Sequence, residues 1–100
     1  MVDTWVCFFS FYNNRVDLVM NNQLQELMTI TMEECGELIQ ECSKAIRCDK
    51  YYENEKLVEE VGDVMCMLEL MHEYDLISWS DIDKRVKVKR EKLEKWSDLV

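Results

Sequence analysis

The stretch NEKLVEEVGDVMCMLELM, Asn54 to Met71, decides the fold. Leu57, Val61, Val64, Leu68 and Met71 recur at alternating spacings of four and three. That is the seam of an amphipathic helix in a bundle. Asn54 is placed to cap this helix, and the acids after it suit its positive end. Upstream, the same period runs from Gln23 to about Arg47 through Leu24, Leu27, Met28, Cys35, Leu38, Ile39, Cys42, Ala45 and Ile46. The connector CDKYYEN, residues 48 to 54, separates the two helices. Downstream, DLISW is a second connector, and Ser80 is expected to cap a last helix seamed by Ile82, Val86, Leu93 and Trp96.

The N-terminal stretch TWVCFFSFY, residues 4 to 12, is dense in aromatics and is expected to form a short helix in this helical context. NNR at 13 to 15 reads as a turn, and Asn21-Asn22 as a second break. The chain has no proline and two glycines, too few turn residues for a β-rich fold. With 48% apolar and 33% charged residues, it suits helices that each bury one face. The expectation is an all-α fold: one domain over residues 1–100, a small bundle of about four helices completed by oligomerisation. A chain of 100 residues buries only part of its surface alone.

The net charge of −9 repels nucleic acid and anionic membranes. An anionic substrate then needs a bridging cation or a local basic patch. Five cysteines, with no CxxC pair, read as reduced thiols rather than a disulfide frame or zinc site. No apolar run reaches the length of a membrane span, and the N-terminus lacks the basic region of a signal peptide. These features suggest a cytoplasmic protein with no membrane or nucleic-acid partner.

Both glycines lie in matched blocks: EECGELIQ from Glu33 and EEVGDVMC from Glu59. A glycine inside a helix costs about 1 kcal/mol relative to alanine. Its use there suggests close approach by another backbone or a ligand. Glu34 and Glu37 share one helix face, as do Glu60 and Asp63. Each pair lies beside an apolar seam. An antiparallel hairpin across the connector brings the pairs together, and four carboxylates converge. Their repulsion calls for protons or cations. Oxygen-only ligands favour a hard cation, Mg2+, with Mn2+ as a possible substitute.

The two blocks resemble the signature of the all-α nucleoside triphosphate pyrophosphatase superfamily, MazG-like: ExxE, a gap, then ExxD. The likeness covers about residues 23 to 75. It implies a homodimer or a dimer of dimers. It also implies Mg2+-dependent cleavage of a nucleoside triphosphate to the monophosphate and pyrophosphate. Glu34, Glu37, Glu60 and Asp63 are the implied metal ligands and catalytic acids. Relatives within that superfamily include dUTP diphosphatases and phosphoribosyl-ATP pyrophosphatases. Glu33 or Glu41 offers a spare carboxylate as a base, or is a plain surface acid.

The last helix is the only basic stretch. Lys89 stands at a seam position and is expected to reach phosphate or the acid cluster; the competing reading is a lysine that snorkels to the bundle edge. Arg85 and Lys92 share its side as further phosphate contacts or as solvated charges. His72 reads as structural or exposed. Trp5, Phe9 and Tyr12 read as an oligomer interface or a stacking surface for a base. A competing reading of the whole chain is a non-catalytic acidic module that binds a partner protein. It accounts for the charge but not for the matched glycine blocks.

Overall fold

The computed structural model describes the backbone of residues 15–100 and the side-chain environments of residues 21–100. Three helices are present among them: α1 (Arg15–Cys48), α2 (Glu55–Glu73) and α3 (Trp79–Trp96). No strand occurs among the described residues, so the described chain is all-α. The short helix expected at residues 4 to 12 lies outside the described residues. The described helices therefore number three where the sequence suggested about four. No helix of the described residues is long and apolar enough to cross a membrane.

Asn21-Asn22 does not interrupt α1, contrary to expectation. Asparagine costs only a few tenths of a kcal/mol in a helix interior, and the stripe beginning at Leu24 favours continuation. Two threonines within α1 satisfy their hydroxyls locally: Thr29 Oγ1 donates to the Gln25 carbonyl at 2.8 Å and Thr31 Oγ1 to Leu27 at 2.7 Å.

Aspartates do the work at the helix ends that glycine usually does. Asp49 and Asp75 stand in the left-handed region, at φ 52° and 60°. Aspartate tolerates that conformation better than most side chains. Past Asp49, the Lys50 N–H returns to the Ala45 carbonyl at 3.0 Å; past Asp75, the Leu76 N–H returns to Met71 at 2.9 Å. Both are the long closing bond of a Schellman stop. Asn54 then starts α2. Its Oδ1 accepts the Leu57 N–H at 3.1 Å, and its Nδ2 donates to the Lys50 carbonyl at 2.9 Å. One side chain thus caps α2 and ties down the connector.

Packing divides the chain into two compact units, split within α2 between Met67 and Leu68. In the first unit, α1 turns Leu24, Leu27, Thr31, Glu34, Leu38, Glu41 and Ala45 away from water, fully or in part. The opposing residues of α2 are Leu57, Glu60, Val64 and Met67. This corrects the expected seams. Met28, Cys35, Ile39, Cys42, Ile46 and Val61 are exposed. Spacing alone could not choose between them, because α1 carries two parallel stripes at the same helical period. The inward stripe includes acids, so Glu34 and Glu60 lie on the seam rather than beside it.

In the second unit, α3 begins two residues earlier than expected. Its cap is Ser78, not Ser80: Ser78 Oγ accepts the Asp81 N–H at 3.3 Å. Capping at Ser78 makes Trp79 the first helical residue, where its ring stacks on His72 with centroids 5.4 Å apart. No residue of α3 is buried.

The glycines also depart from expectation. A side chain at Gly36 or Gly62 would meet nothing within 4 Å, and neither glycine has a positive φ. Among the described residues, nothing needs the space they leave. Gly36→Ala and Gly62→Ala are each expected to raise the stability of the chain by about 0.5–1 kcal/mol, the ordinary gain in a helix interior. Urea unfolding measures this. Destabilisation by either variant would mean that the position is crowded.

Candidate metal centre

The register of the α1–α2 hairpin follows from its short connector. In an antiparallel pair, setting Glu37 against Glu60 also sets Glu34, three residues earlier, against Asp63, three residues later. The structure brings these four acids together, with one ligand oxygen from each lying within 4.8 Å of all the others. Glu33 and Glu41 are not members of this group. Glu33 is exposed. Glu41 is buried one to two turns along α1, with Lys44 Nζ at 3.6 Å.

Burial differs sharply among the four. Glu60 is only 3% exposed, Glu34 is half-buried, and Glu37 and Asp63 face solvent. Glu34 Oε2 and Glu60 Oε2 are buried without a hydrogen-bond partner. A buried carboxylate oxygen with no donor is costly, more so than a neutral group. Something must meet these two oxygens.

A proton is one answer, and the cluster favours it. Contact with Glu60 draws the Glu37 carboxyl above its ordinary 4.5, with repulsion from Glu34 and Glu60 adding to the effect. A protonated Glu37 can donate to Glu60, which the ionised pair cannot. Glu34 is also raised from 4.5, first by loss of water around it, then by Asp63, Glu60 and Glu33. A cation is a second answer. Oxygen ligands around six-coordinate Mg2+ stay within about 4 Å of one another. The group here is slightly wider, by an amount that small side-chain torsions remove. Carboxylates alone, with no thiolate or imidazole, suit Mg2+ or Mn2+. The orphaned Glu60 oxygen, the buried flank and the donor chemistry fit such an ion.

One participant was absent from the sequence reading. Lys56 Nζ bridges Glu59 Oε2 at 2.7 Å and Glu60 Oε1 at 3.1 Å. These hydrogen bonds, to Glu59 first, hold its ammonium well above the usual lysine range. The available signal was its place in α2. Lysine is disfavoured in the first turn, at the positive end of a helix dipole.

The basic residues expected at the site lie on α3 and are all exposed. Lys89 is not buried in a seam, which corrects that expectation. Its ammonium sits 5.6 Å from the centre of the Trp96 ring, a cation–π contact. No residue of α3 is buried, so a lysine at this position costs little. Arg85 and Lys92 are solvated.

No family model matches the chain, and neither a curated protein nor a solved structure matches it.

Proposed function

We propose that the chain is a Mg2+-dependent nucleoside triphosphate pyrophosphohydrolase that releases the monophosphate and pyrophosphate. The observation that carries this reading is the Glu60 oxygen, buried and unpartnered within a group of four converging carboxylates. Glu34, Glu37, Glu60 and Asp63 hold the ion, and Mn2+ can replace it. When bound, Mg2+ supplies charge neutralisation for the triphosphate and a lowered pKa for attacking water. The carboxylates fix its position through their places on two packed helices. The ExxE and ExxD likeness to the MazG-like superfamily supports the same reading, and nucleotide-pool control in the cytoplasm is the proposed setting.

A homodimer or dimer of dimers belongs to this proposal. Only Leu27, Ala45 and Met67 form a buried apolar core among the described residues. Meanwhile Met28, Met32, Cys35, Ile39, Cys42 and Ile46 make an exposed stripe along α1, and Val58, Val61 and Met65 of α2 are exposed as well. A second copy would cover this stripe.

Incubation with a panel of nucleoside triphosphates tests the activity. Monophosphate and pyrophosphate are expected with Mg2+ and neither with chelator. Absence of both from every triphosphate overturns the reading and favours the acidic binding module. Lys89, Arg85 and Lys92 are the proposed phosphate contacts. Lys89→Met is expected to change stability by no more than about 1 kcal/mol, the scale of an exposed cation–π contact. It is expected to lower kcat/KM by about tenfold or more through lost charge at the phosphates. Unchanged kinetics would remove Lys89 from the site. Arg85→Met and Lys92→Met should each do less.

A further inference from the structure

Lys56 is an exposed lysine with an unusual grip on a buried acid. Its ammonium holds Glu60 Oε1 at 3.1 Å, and Glu59 clamps the same ammonium at 2.7 Å. Glu60 is the most buried of the four converging acids. Its other oxygen, Oε2, is buried and has no partner. The two oxygens of this carboxylate are therefore unequal. One is committed to Lys56 and one is free for the cluster. The helix dipole disfavours a lysine in the first turn of α2, and lysine four residues before glutamate is the weaker order for a helical pair. Local helix stability thus gives a poor account of Lys56.

We infer that Lys56 is a positioning residue that limits Glu60 to one ligating oxygen and thereby biases the four-acid site toward Mg2+ over Ca2+. This inference rests on the metal reading above. A carboxylate can bind a cation through one oxygen or through both. Ca2+ accepts two-oxygen ligation and six to eight ligands at flexible geometry. Mg2+ demands a tight octahedron, which a single oxygen per carboxylate satisfies. Holding Oε1 against Lys56 closes the two-oxygen mode to Glu60. Donors behind a ligating group commonly set its orientation in this way.

Calorimetric titration of the whole chain with Mg2+ and with Ca2+ tests the inference. The variants are Lys56→Met, which keeps the length of the stem, and Lys56→Arg, which keeps a donor. Lys56→Gln stands in if the methionine variant does not fold. Losing a positive charge strengthens binding of both divalent ions, so the ratio of their affinities is the informative quantity. Lys56→Met is expected to shift that ratio toward Ca2+ by about tenfold, the lower end of the affinity changes that follow loss of an outer partner of a metal ligand. Lys56→Arg is expected to stay near the wild-type ratio. If the wild type binds Mg2+ and Lys56→Met leaves the ratio unchanged, Lys56 is not a selectivity residue and the metal site stands. If the wild type takes up neither ion, the metal reading fails and this inference with it.

Discussion

Glu37→Gln and Asp63→Asn are each expected to lower Mg2+-dependent pyrophosphate release by about a thousandfold or more, since each removes an anionic oxygen from the metal set. The amide keeps the volume, so the hairpin should fold as before. Both side chains face solvent, which leaves little packing to disturb. In the metal-free protein both variants should melt higher than the wild type, because one of four mutually repelling charges has gone. Rate and stability therefore move in opposite directions. A defect of folding would move them together. Turnover at saturating Mg2+, with melting in chelator, measures the split. Wild-type turnover in either variant would remove that residue from the ligand set.

Mg2+ itself is expected to stabilise the folded chain, by about 2.7 kcal/mol at a hundredfold excess over Kd. The gain should grow with pH. Glu34 and Glu37 are both raised above 4.5 in the folded state. A raised carboxyl binds its proton more tightly when folded than when unfolded. In metal-free protein, the stability it contributes is therefore present at low pH and lost as pH rises from 4.5 through the raised values. Mg2+ takes the place of those protons and offsets the loss. Melting from below pH 4.5 to about pH 7, with Mg2+ against chelator, should show two curves that diverge as pH rises. Curves that coincide at all pH values would contradict the shared site.

Much of this was legible in the sequence, for reasons that can be named. The helices were legible because Leu24, Leu27, Leu38, Leu57, Val64 and Met71 repeat at helical period. The meeting of Glu34 and Glu37 with Glu60 and Asp63 was legible because both pairs flank one short connector, and an antiparallel hairpin then leaves little choice of register. The inward face of α1 was not legible. Met28, Cys35, Ile39, Cys42 and Ile46 form a stripe as apolar as the buried one, and hydrophobicity alone points to it. The structure instead turns Glu34, Glu41 and Glu60 inward. Hydrophobic periodicity is a poor guide where acids such as Glu41 and Glu60 stand in the core. Ser78 and Ser80 are equivalent cap candidates by composition; the structure separates them through the Ser78 Oγ bond from the Asp81 N–H. The exposure of Lys89 was not legible because its place in the apolar repeat points to a buried seam, and no residue of α3 is buried. Lys56 escaped notice because a lysine among glutamates looks like an ordinary solvated pair. Its meaning depends on the burial of Glu60.

The central claim is that these four carboxylates form one divalent-cation site. Mn2+ titration followed by NMR tests it most directly, because paramagnetic broadening is local and needs no substrate. Gly36 and Gly62 each sit beside a proposed ligand, and their amide signals report on α1 and α2 separately. At low Mn2+ the account predicts broadening centred on the segments around Glu34–Glu37 and Glu60–Asp63, reversed by excess Mg2+. Weak broadening spread over acids across the whole surface, with Gly36 and Gly62 no more affected than the rest, would contradict it.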